Sequence, residues 1–68
     1  MTHTSLARLK GIYNLSRIGI NADTLGYLCE AWAEDIGFMS ERAKSPDAAI
    51  RKLLRSVGRF RRSLGKPA

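Results

Sequence analysis

"NADTLGYLCEAWAEDIGFMSERAK", residues 21–44, is the stretch on which the fold turns. Leu25, Leu28, Cys29, Trp32, Ile36 and Met39 recur there at the three- and four-residue spacing of one helical face. Asn21 or Asp23 can cap its start. Gly26 and Gly37 oppose this, because glycine inside a helix costs about 1 kcal/mol relative to alanine. The spacing predicts a helix over 23–36, continuing through a turn at "FMSERA" to residue 43. Leu25, Leu28, Trp32 and Ile36 are then core residues, with Cys29 beside them.

Downstream, "KSPDAA", residues 44–49, is a helix start. Ser45 suits the N-cap, Pro46 the first helical position, and Asp47 the positive helix end. Ile50, Leu53, Leu54, Val57, Phe60 and Leu64 then trace one apolar stripe, and Gly65 with Pro67 is a stop. This predicts a helix over 46–64. Upstream, Thr4 or Ser5 can cap a helix carrying Leu6, Leu9 and Tyr13. Ile12, Leu15 and Ile18 fall outside that stripe, so the helix is either largely covered by its neighbours or bends near Gly11 or Asn14. "RIGIN", residues 17–21, reads as a turn. No segment alternates with period two for long enough to predict a strand. The expectation is one all-α domain over 1–68, a small three-helix bundle.

Within it, "LSRIGINADTLGYL", residues 15–28, resembles a helix-turn-helix through Leu15, Gly19, Ile20, Leu25 and Leu28. The resemblance implies two helices meeting near Gly19. Leu15 stands where such motifs usually carry Ala. Asp23, Glu30 and Glu34 would make the second helix acidic, which phosphate repels.

Charge is the strongest functional signal. The 68 residues carry 12 Lys and Arg against 6 Asp and Glu, a net +6. All six acids fall within 21–47, while 48–68 holds seven bases and no acid. Such segregation suggests surfaces of opposite sign with separate partners. At about 100° per residue, Arg51, Lys52, Arg55, Arg59, Arg62 and Lys66 share one side of the last helix, opposite its apolar stripe. A cationic strip of this kind can neutralise successive phosphates and release counterions. Arginine's planar fork also suits bidentate phosphate contacts. Arg61 points toward the apolar side and is expected to snorkel or pair with an acid. The resulting reading is a small, non-enzymatic nucleic-acid-binding protein. Duplex is favoured, since aromatics at single-strand spacing are missing, and DNA is favoured over RNA.

A second reading uses the middle segment. On a helix, Asp23, Glu30, Glu34 and Glu41 would form a narrow acidic arc with Tyr27 and Phe38 beside it. That is a protein-contact face with aromatic anchors. It would suit a modulator or inhibitor that docks on a larger nucleic-acid-processing complex, with the basic strip meeting an acidic protein surface or the acidic face occupying a site meant for phosphate.

Other classes are poorly supported. Cys29 is the sole cysteine, so no intramolecular disulfide can form, and with His3 as the sole histidine no structural zinc set exists. A catalytic thiol would need a basic, partly open site and a His partner. No catalytic residue, metal or cofactor is expected. No apolar run approaches the roughly 20 residues of a membrane span. The first residues also lack the continuous apolar centre of a signal peptide, so a cytoplasmic protein is expected. So short a chain buries only about 60 % of its unfolded surface, which suggests a homo-oligomer or a subunit of a larger complex.

Overall fold

A computed structural model describes residues 6–65. The chain runs through α1 (Leu6–Ile12), β1 (Arg17–Asp23), β2 (Gly26–Ala33), β3 (Gly37–Ala43) and α2 (Pro46–Ser63). The strands form one antiparallel sheet in the order β1-β2-β3. The expected all-α three-helix bundle is therefore wrong. The fold is α+β, and residues 21–44 hold strands and tight turns where a helix was expected. The helix-turn-helix stretch, 15–28, lies mostly in the first hairpin, and "RIGIN" opens β1.

Two glycines decide the matter. Asp23 accepts the Leu25 N–H at 2.9 Å, turning the chain over Thr24 and Leu25. Gly26 then re-enters the sheet at φ 131°, and a Cβ there would sit 2.6 Å from the Ala43 carbonyl oxygen. No other residue fits. In the second hairpin the Ile36 N–H donates to the Ala33 carbonyl at 3.2 Å, and Gly37 at φ 71° starts β3. Residues that would weaken a helix are the hinges of a sheet.

Register sorts the side chains onto two faces. Ile18, Ala31 and Met39 align across the strands, as do Ile20, Cys29 and Glu41. This is the inner face, where Cys29, Ala31 and Ala33 are buried. The other face carries Arg17, Trp32 and Phe38 in one row, with Gly19, Glu30 and Ser40 in the next. α2 covers the inner face with Ala49, Ile50, Leu53 and Val57. Small side chains on β2 let the helix approach closely, and Leu53 and Val57 lose all solvent contact.

The supposed helical stripe drew from both faces of the sheet. Cys29 and Ile36 are core, as expected, but Leu25 is 73 % exposed and Trp32 40 % exposed. The helix expected over 46–64 does form. Ser45 caps it by accepting the Ala48 N–H at 3.2 Å. α1 ends in a Schellman turn, with Leu15 N–H donating to the Lys10 carbonyl at 2.9 Å and Asn14 N–H to the Gly11 carbonyl at 3.3 Å. Asn14 supplies the left-handed residue at φ 53°. The chain thus bends at Asn14, and Leu9 and Leu15 join the core. His3 and the expected caps Thr4 and Ser5 lie outside the described residues. Among those described, no helix is long and apolar enough to cross a membrane.

Burial pushes the Cys29 thiol up from its ordinary 9.0 to about 11, with the Glu30 charge adding a smaller push. The folded state therefore holds this proton where the unfolded chain releases it. The resulting stability is complete below pH 9 and is lost as pH rises toward 11. Urea midpoints measured across that window should fall with pH, and Cys29→Ala should fall less steeply. Parallel slopes for the two proteins would refute the assignment.

Candidate nucleic-acid interface

α2 is positioned by its own apolar side. Because Ala49, Ile50, Leu53 and Val57 are pressed on the sheet, the opposite side must face solvent. Arg51, Lys52, Arg55, Arg59 and Arg62 all lie there, exposed. Lys66, the sixth expected member, falls outside the described residues. The helix of 18 residues extends about 27 Å at 1.5 Å per residue, enough to follow several consecutive phosphates.

Asp47, in the first turn of α2 and one turn before Arg51, is the one acid on this helix. Among the described residues, ion pairs join Arg42 to Asp23 and Arg61 to Asp35, and neither involves a strip cation. Lys52 is the strip member tied to the fold, its ammonium donating to the Arg42 carbonyl at 3.0 Å. That contact fixes the stem of one cation and leaves its charge at the surface.

Arg61, set apart by its position on the wheel, serves the fold. Its Nε donates to Asp35 Oδ2 at 2.7 Å and another nitrogen to Asp35 Oδ1 at 3.1 Å, a bidentate grip. The same guanidinium donates to the carbonyls of Tyr13 and Asn14 at the end of α1.

The acidic arc is not formed. Its four acids and the two aromatics beside them belong to strands and turns, so they scatter over different faces. Asp23, at the end of β1, accepts from Arg42 of β3, which stands opposite Leu28 in the register. This hydrogen bond, helped by the Leu25 N–H, holds the Asp23 carboxyl below its usual range. Tyr27 and Glu41 belong to the inner face, where Tyr27 packs on the core and Glu41 accepts from the Ser56 hydroxyl at 2.8 Å. Glu34 is exposed in the second turn. Glu30 and Phe38 lie on the outer face, lining a cavity there.

Sequence reasoning thus found the cationic strip but missed the outer face of the sheet. Its signal was the pair of alternations in "RIGIN" and "YLCEAWA", which place Arg17 and Trp32 together opposite Ile18 and Ala31. Compared with known proteins, the chain matches no family model, no curated sequence and no solved structure, so its function must be argued from these residues.

Proposed function

We propose that this chain is a small, non-enzymatic, cytoplasmic nucleic-acid-binding protein that lays the outer side of α2 along phosphates, duplex DNA foremost. The observation that supports it is the run of five exposed cations on α2 with no acid anywhere in 48–65. An ordinary solvated helix face interleaves the two signs. Phosphate contacts of this kind are sequence-independent, and each contributes about 0.9 to the slope of log affinity against log salt. The marginal size of the core fits a protein that works as a homo-oligomer or as part of a complex.

The test is the double replacement of Arg55 and Arg59 by Gln. Gln and Arg have similar helix propensity and both positions face away from the core, so the fold should be retained. Duplex binding should weaken on every sequence, and the salt slope should fall by nearly two. An unchanged slope in a folded double variant would overturn the proposal.

A further inference from the structure

We propose that the outer face of the sheet holds a binding site for an unpaired guanine of a single-stranded nucleic acid. The ligand class rests on the nucleic-acid reading above, but the site itself uses none of the α2 residues. A cavity of about 920 Å³ opens on this face, lined by Lys10, Arg17, Gly19, Glu30, Trp32 and Phe38 among others.

The strand register explains how the cavity is built. Arg17, Trp32 and Phe38 form one cross-strand row, and Gly19 and Glu30 form the adjacent one. Gly19 has no side chain, and a Cβ placed there would meet nothing within 4 Å, so the space over β1 is open. Trp32 is 40 % and Phe38 64 % exposed, leaving aromatic surface available for a base to stack on. A soluble sheet normally presents polar side chains on such a face, so two exposed aromatics side by side call for a partner.

Three charged groups give the cavity its polarity. The Glu30 carboxylate has no hydrogen-bond or ion-pair partner among the described residues, and neither do the charged ends of Arg17 and Lys10. Cations and an anion therefore line one cavity without neutralising each other. A carboxylate only accepts, through two oxygens side by side. Guanine answers with the adjacent N1–H and N2–H donors of its Watson–Crick edge. Adenine and cytosine would set a ring-nitrogen acceptor against one carboxylate oxygen, and thymine would set carbonyls there. Lys10 and Arg17, at the rim, suit the attached phosphates. Stacking on Trp32, pairing to Glu30 and phosphate on the two cations together describe a guanine nucleotide. Unpaired bases are held in this general manner, by stacking and edge contacts together.

Trp32 is the sole tryptophan of the chain and so reports on the site directly. Its fluorescence should be quenched by a short single strand of thymidines carrying one central guanosine. Strands with adenosine, cytidine or thymidine at that position should bind about tenfold more weakly or worse, the discrimination expected of one bidentate pair. Glu30→Gln should bring the four strands within about twofold of each other. Arg55→Gln with Arg59→Gln, on the opposite side of the molecule, should leave the quenching and the guanine preference unchanged. Guanosine monophosphate alone serves as the remaining probe. Guanine-selective quenching by single strands, with no duplex binding, would retain this site and overturn the α2 reading, whereas quenching by the mononucleotide with no polynucleotide binding would overturn both. Duplex binding with no quenching and no base preference would retain the α2 reading and overturn this site. Trp32 emission that shifts with protein concentration alone would show a second copy covering this face, and would also overturn the site.

Discussion

Replacing Leu53 with Ala is expected to cost about 4 kcal/mol, within the range for large-to-small changes at fully buried sites. Leu53 has no solvent exposure and sits where α2 meets the small side chains of β2. Those neighbours, Cys29 and Ala31, are held by the sheet and cannot move in to fill the space, so most of the cavity persists. A domain of this size has a total stability of only about 3–10 kcal/mol. Leu53→Ala should therefore be largely unfolded at moderate temperature. Leu25→Ala should cost less than about 0.5 kcal/mol, as expected of an exposed turn residue. The helical reading of 21–44 demands the opposite, because it places Leu25 in the core stripe. Thermal melts of the two variants decide between them, and similar losses would contradict the sheet.

The contrast between these leucines shows why part of the fold was legible and part was not. α2 announced itself because its cap, its stripe and its charged side all agree with a period of 3.6 residues. β2 did not, because the buried positions of its core side are small residues, Cys29, Ala31 and Ala33, with Tyr27 at the strand's start, while large apolar ones, Leu28 and Trp32, stand on the open side. Hydrophobic size therefore failed to mark the buried face, and the period-two pattern was masked. With Leu25 and Ile36 drawn from the two turns, the mixture imitates a helix. The counter-signal was the pair Gly26 and Gly37, eleven residues apart and each following an acid-bearing turn. Glycine at a hairpin hinge carries more information than the same residue counted as a helix penalty.

The same distinction governs the site. The cationic strip depends only on positions within one helix, so its geometry followed directly from spacing. The acidic arc depended on a helix that does not exist, and it dissolved with it. The outer-face cavity depends on the pairing of β1 with β2 and β3, residues far apart in number. No single-segment pattern brings Arg17, Glu30 and Phe38 together. Only the register does.

Arg61→Ala is expected to cost about 3 kcal/mol, by breaking a largely buried charge pair and stranding its partners. The side chain is 12 % exposed, against 25 % for its partner Asp35. Its guanidinium joins three separate elements: α2, which carries it, the turn between β2 and β3 through Asp35, and the end of α1 through the Tyr13 and Asn14 carbonyls. Those carbonyls lie at the negative end of α1, where a cation is favoured. α1 has only seven residues and cannot persist without such support. Removing Arg61 should therefore loosen α1 before the sheet, and the Leu15 amide, bonded to Lys10, should lose protection from hydrogen exchange first. Arg61→Lys retains the charge but not the planar fork, and an ammonium cannot reach the carboxylate and both carbonyls together. It should recover less than half of the lost stability. Strip residues provide the control, since Arg59→Ala and Arg62→Ala point into solvent and should each change stability by less than about 0.5 kcal/mol. If Arg61→Ala melts like those two, the guanidinium does not hold the elements together, and α1 must be anchored by Leu9 and Leu15 alone.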